Sequence, residues 1–148
     1  MIREDKEYGL KVAPYIVLDG QCAEAVSFYE KVLGANNLGV QRFGDQPDLG
    51  HPVPEEAKDR VLHAALEFDG QMLLFSDTFP GNPYKQGDQL TIALMTKDLE
   101  RLQSIYNGLS DGGQVLMELQ ETFWSPSYGM VRDKFGITWQ LSGEGSEG

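Results

Sequence analysis

The chain is sparing with cysteine, histidine, tryptophan and positive charge. It has one cysteine, two histidines and two tryptophans in 148 residues. A single thiol, Cys22, cannot close an internal disulfide, which agrees with a reducing cytoplasmic location. Lysine and arginine together number 12 against 23 acidic residues, a net charge of −11. Phosphate backbones and anionic membrane surfaces are repelled by that charge, so neither nucleic acid nor membrane is an expected partner. No window holds the roughly 18 apolar residues of a membrane helix, and Met1 to Glu7 has no signal-peptide core. No glycine-rich loop opens a helix after a strand, so nothing points to a bound nucleotide.

What is present is the composition of a packed globular protein, 41% hydrophobic with 10% aromatics, and the length of about one domain. The most informative pattern is a duplication. Pro14-Tyr15-Ile16-Val17-Leu18-Asp19 precedes a helical run ending Phe28-Tyr29-Glu30-Lys31-Val32-Leu33-Gly34; Thr91-Ile92-Ala93-Leu94-Met95-Thr96 precedes one ending Ile105-Tyr106-Asn107-Gly108-Leu109. Pro14 and Thr91, like Phe28 and Ile105, are separated by 77 residues (91 − 14 and 105 − 28). Each helix leads through an irregular stretch to a β-hairpin.

Periodicity supplies the elements. The apolar run Pro14 to Leu18 reads as a strand buried on both faces. Cys22, Ala25, Val26, Tyr29, Val32 and Leu33 form one helical stripe, with Asp19 as cap and Gly34 as stop. Leu99, Leu102, Tyr106 and Leu109 repeat it behind Asp98. Val61 to Phe68 and Gln71 to Ser76 flank Asp69-Gly70, a preferred two-residue turn. Met130 to Arg132 and Ile137 to Leu141 form the second hairpin, and Gln114 to Leu119 an extra strand before it. Linkers run from Gly44 to Asp59 (with Pro47, Pro52 and Pro54) and from Ser110 to Gly129. The polar tail from Gly143 to Gly148 is expected to fray.

The order βαβββ, twice over, resembles the vicinal oxygen chelate superfamily of glyoxalase, bleomycin-resistance and dioxygenase proteins. Pro14-Tyr15, Ala25 to Gly34, Pro54 to Asp59 with His63 to Leu66, Ser76-Asp77, Leu119 to Trp124, Tyr128 to Val131 and Asp133 to Gly136 are similar to its PhnB-like group. The resemblance implies a single α+β domain over 1–148, with tandem βαβββ modules at about 13–77 and about 90–142 forming a curved mixed sheet around a cleft. It also implies a homodimer. Some PhnB-like proteins bear a ubiquinone-related methyltransferase name, for which this sequence offers no nucleotide-binding support.

The superfamily's metal enzymes hold a cation with His or Glu at the start of each module's first strand and late in its last strand. Carried over by the repeat, those positions fall near Pro14 or Tyr15, Leu74, Thr91 and Gln140. None is an imidazole or carboxylate, so no cofactor is expected and a divalent metal lacks its usual ligands. Candidate groups remain. Strand alternation puts His63 and Glu67 opposite the core-facing Leu62, Ala64, Leu66 and Phe68. His63 is a candidate acid or base, since imidazole titrates near neutral pH, or simply a hydrogen-bonded sheet residue. His51 lies in the Pro-rich linker. The stretch Glu121 to Gly129 offers a carboxylate, Glu121, and two aromatic pocket walls, Trp124 and Tyr128; alternatively Phe123 and Trp124 plug one end of the core while Glu121 caps a turn. Asp77, Phe75 and Gln140 complete the candidate substrate contacts, although Asp77 reads first as a turn former. Cys22 reads as a buried filler.

These readings converge on a small-molecule-binding protein of the glyoxalase-like type. It is either an enzyme working without the usual metal or a non-catalytic protein that sequesters its ligand. A metal-dependent lyase, isomerase or dioxygenase is the third alternative.

Overall fold

The structure, a computed structural model, describes residues 9–45, 53–79 and 81–145. His51, Pro47, Pro52, the first residues Met1 to Glu7 and the tail beyond 145 lie outside the described residues. The first half runs β1 (Tyr15–Leu18), α1 (Cys22–Leu33), β2 (Asn36–Arg42), β3 (Val61–Phe68) and β4 (Gln71–Asp77). The second runs β5 (Ile92–Thr96), α2 (Leu99–Ser110), β6 (Gln114–Gln120), β7 (Tyr128–Arg132) and β8 (Thr138–Gly143). Each half folds into a four-stranded mixed sheet, in the orders β1-β4-β3-β2 and β5-β8-β7-β6. The first strand of each half lies parallel to its last, a pairing that requires the helical crossover between them.

The helices form where the apolar stripes predict. Cys22, Ala25, Val26, Tyr29 and Leu33 of α1 are buried, as are Leu102, Ile105 and Leu109 of α2. Gly34 ends α1 in the left-handed conformation, φ 64°, which glycine adopts without a Cβ penalty. Asp98 caps α2, accepting the Arg101 N–H at 3.1 Å. Asp19 does not cap α1. Its carboxylate pairs with Arg60 at 2.6 Å, and the N-terminus of α1 is served from β4 instead. There the buried Asp77 Oδ1 accepts the Gly20 and Cys22 N–H groups at 2.7 and 3.0 Å, while Oδ2 accepts that of Val61 at 2.9 Å.

β1 is buried on one face only, with Tyr15 and Val17 exposed, not on both as its apolar run suggests, and three further details differ from the sequence reading. The 77-residue offset holds for the helices but slips in the strands. Tyr15 pairs with Leu74, and its counterpart opposite Gln140 is Ala93, not Thr91. The cause is the connection to the helix: Asp19-Gly20-Gln21 in the first half, only Lys97-Asp98 in the second. One residue of slip turns every side chain to the other face. Second, β2 occupies Asn36–Arg42, a polar edge strand whose two apolar residues left no alternation to read. Third, Gly143 does not fray. It is buried at the end of β8, its N–H bonded to the Ser127 carbonyl at 2.6 Å. The Asp69-Gly70 turn forms with positive φ at both residues, 53° and 77°, as a two-residue turn matching strand twist requires.

Both halves share one core. Ile16, Leu18, Leu73 and Phe75 from the first sheet join Val131, Trp139 and Leu141 from the second around the two helices. At its centre Asp133 of the second half accepts the Tyr29 hydroxyl of α1 at 2.6 Å and the Trp139 indole N–H at 2.8 Å. The same carboxylate accepts the Phe135 and Ile137 N–H groups at 2.9 and 3.1 Å. A buried charge is tolerable when it is this fully hydrogen-bonded. The halves therefore meet through their helices and this knot, and among the described residues no strand of one sheet pairs with the other.

Candidate functional site

Because the helices cover the inner face of each sheet, the outer faces are available for function. Register defines them. On the first sheet Tyr15 and Leu74 share a row with Ala65 and Gly39, and His63 sits across from Gln41. His63 is half-buried and its ring lies 6.1 Å from that of Tyr15, which is half exposed. Glu67, on the same face, accepts from Asn36 and from the Gly70 N–H at 2.8 and 2.9 Å. Those two hydrogen bonds hold its carboxyl below the usual range, with the Asn36 contact the larger cause. It is thereby tied to the hairpin turn.

On the second sheet Ala93, Gln140, Met130 and Met117 form one row, and Met95, Ser142 and Tyr128 the next. A polar relay crosses it. The Tyr128 hydroxyl donates to Gln140 Oε1 at 2.7 Å, and Gln140 Nε2 donates to Thr91 Oγ1 at 2.9 Å. With its oxygen already accepting, Thr91 keeps its hydroxyl hydrogen for another acceptor. Apolar neighbours remain uncovered, Met95 at 64% exposure and Met117 at 39%.

The loop between β6 and β7 stands at the edge of this face. Its turn is closed by Thr122 and Ser125, whose N–H groups and side chain bond reciprocally. The buried Ser125 hydroxyl donates to the Gly143 carbonyl at 2.6 Å, pinning the loop to the end of β8. Held this way, Trp124 is 57% exposed and Phe123 97% exposed. Trp124 meets Phe123 and Tyr128 edge-on, with ring centroids 4.8 and 5.5 Å away. Glu121 is exposed and shares an open recess with Trp124, Lys97 and Leu99.

The candidates thus separate. Tyr128, Gln140 and Trp124 form one continuous surface; Glu121 stands beside it, and His63 belongs to the other sheet. Phe75 is not a ligand contact: it faces inward, fully buried and stacked on Tyr29 at 5.8 Å. Alternation along β4 leaves Leu74 and Ser76 outside and puts Phe75 with Leu73 inside. Asp77 is not one either, because its carboxylate is spent on three backbone N–H groups. Cys22 is fully buried, and that burial, with Asp77 nearby, pushes its thiol up to about 12, which makes it no nucleophile. Sequence reasoning passed over Met95, Met117 and Met130 and named Tyr15 only as a metal position it cannot fill; strand parity carried the signal, but the slipped repeat hid it in β5.

The cleft between the halves is a seam cavity of about 550 Å³, reaching from the Asp69-Gly70 turn to β5 and α2. Neither His63, Glu121, Trp124, Tyr128 nor Gln140 lines it. The expected gathering of candidates around an inter-module cleft therefore does not occur within one chain. The reason is the shared helical core, which turns the outer faces away from the seam.

A cation at the superfamily's ligand positions would meet Tyr15, Leu74, Ala93 and Gln140, that is a phenol, two alkyl groups and an amide. That donor set does not fit a divalent metal. Among the described residues no three His, Cys, Asp or Glu side chains converge. No described helix is long and apolar enough to cross a membrane.

Comparison with known proteins agrees with the topology. Protein PA1353 of Pseudomonas aeruginosa is 34% identical, covering 92% of this chain and 98% of its own, with a TM-score of 0.83. Protein YjdN of Escherichia coli K12 is 27% identical over 140 residues, 90% of this chain and 95% of YjdN. The PhnB protein of Bacillus cereus, 21% identical over 90% of this chain and 99% of its own, shares the fold with a TM-score of 0.74. The family model for the Glyoxalase/Bleomycin resistance protein/Dioxygenase superfamily matches residues 11–141, and the chain belongs to that superfamily.

Proposed function

We propose that this protein binds a small, partly apolar organic molecule on the outer face of its second sheet, without a metal, as a homodimer. The observation that carries the reading is the surface made by Trp124, Tyr128, Gln140, Met130 and Met95. There a hydrogen-bonded polar relay crosses apolar side chains of which Met95 and Trp124 stay exposed among the described residues. Convergent polar groups on an apolar, aromatic wall are the usual make-up of a small-molecule site. The neutral relay suits a carbonyl, hydroxyl or amide better than a strong anion, since no cationic side chain takes part in it.

The first sheet's outer face, with Tyr15, Val17 and Met72 part exposed, supplies the complementary apolar area for a second copy. Such a dimer would roof the ligand and bury both faces. His63, the imidazole on that face, is the acid or base if the site turns its ligand over. Binding is the reading favoured here, because Glu121 and His63 stand on separate elements and form no acid–base pair.

Intrinsic fluorescence tests the site directly. Of the two tryptophans, Trp139 is fully buried and Trp124 is exposed, so quenching by small aromatic ketones reports on Trp124. Saturable quenching that disappears in Gln140→Ala, with light scattering giving twice the chain mass, supports the reading. Monomer at micromolar concentration, or stoichiometric zinc, nickel, iron or manganese in the purified protein, overturns it.

A further inference from the structure

The seam cavity adjoins that surface only along β5, where Ala93 and Met95 border both, and it has its own chemistry. Its floor is apolar, formed by Leu33, Leu73, Ile92, Leu94 and Ile105, and its volume of about 550 Å³ lies in the range of ligand pockets. Its mouth is charged. Arg101 of α2 and Lys11 of the N-terminal segment stand there, and Arg101 Nη1 bonds Asp69 Oδ2 of the β3–β4 turn at 2.7 Å. Two cations against one carboxylate leave this mouth net positive on a chain of net charge −11. The pair also joins the halves, since Asp69 belongs to the first and Arg101 to the second.

We propose that this seam is a second ligand site, for a small anionic amphiphile whose hydrocarbon or aryl body enters between the halves. Its carboxylate or sulfonate competes with Asp69 for the Arg101 guanidinium, which presents a planar donor fork suited to such groups. Lys11 adds a second positive charge, exposed to solvent. Asp69 acts as the resident anion, occupying Arg101 while the site is empty of ligand.

Octanoate, with neutral 1-octanol as its comparator, tests the proposal by calorimetry on the full-length protein. Asp69→Asn preserves a residue tolerant of positive φ and frees Arg101, so octanoate is expected to bind about fivefold tighter, ~1 kcal/mol by RT ln 5. Arg101→Gln is expected to weaken octanoate by about the same factor and leave octanol unchanged. Leu94→Phe, which fills the floor, weakens both, and the melting temperature of each variant verifies that it is folded. Trp124→Phe, on the other surface, leaves octanoate binding intact. The proposal is overturned if octanoate does not bind, if octanol matches octanoate in every variant, if Asp69→Asn fails to tighten binding, or if Trp124→Phe abolishes it. That last outcome would move the ligand to the second sheet without touching the reading of that surface.

Discussion

Replacing Tyr29 with phenylalanine isolates one atom of the knot that joins the two halves. The ring keeps its packing against Phe75 and Trp139, at centroid distances of 5.8 and 5.6 Å. Only the hydroxyl that donates to Asp133 at 2.6 Å is lost. A hydrogen bond to a charged acceptor is worth about 1.5–3 kcal/mol, and Asp133 retains three other donors. We expect a loss of about 2 kcal/mol, a fall in melting temperature of roughly 4–8 °C for a domain this size. Asp133→Asn keeps the shape but turns an amide N–H₂ toward donors, either Tyr29 and Trp139 or the two backbone N–H groups. Its cost is larger, about 3–5 kcal/mol. Urea unfolding followed by the fluorescence of buried Trp139, at fixed protein concentration, measures both. A Tyr29→Phe cost below about 0.5 kcal/mol, or an Asp133→Asn variant milder than Tyr29→Phe, refutes the knot as the joint between halves.

Two more expectations concern the other buried groups. Asp77→Ala strands the Gly20, Cys22 and Val61 N–H groups and should cost at least about 3 kcal/mol, with Asp77→Asn milder; an unchanged melting temperature would return Asp77 to the ligand-contact candidates. The Cys22 thiol, held at about 12 by burial, stays neutral in the fold while the unfolded thiol ionises near 9.0. Its contribution is complete below pH 9 and falls as pH rises toward 12, by up to about 1.4 kcal/mol per unit. Denaturant melts between pH 8.5 and 10 should show this decline in the wild type and a flatter one in Cys22→Ala; identical slopes would contradict it. Tyr29, pushed up first by burial and then by the Asp133 charge, adds a similar loss only above about pH 10.

The sequence by itself determined whatever depends on neighbours along the chain. Helix stripes repeat every three or four residues, so α1 and α2 were legible from Cys22 to Leu33 and from Leu99 to Leu109. Gly34 and Asp98 marked helix ends, and Asp69-Gly70 marked a hairpin, because their backbone preferences are intrinsic. Trp124, Tyr128 and Gln140 were also singled out, the first two as aromatics in a bent loop and the last through the repeat, and the fold brings them onto one surface.

Only the tertiary structure decided which face each strand covers and what each carboxylate serves. Phe75 and Leu74 are adjacent in sequence, yet one lies in the core and the other on the outer face of the first sheet. A single extra residue before α1 decided that Ala93 stands opposite Gln140. Asp77 reaches backbone groups 55 to 57 positions earlier in the chain, and Asp133 binds a hydroxyl 104 away. Such partners are chosen by packing and by the need to pair every buried polar group, a condition set by the whole fold and invisible to local pattern.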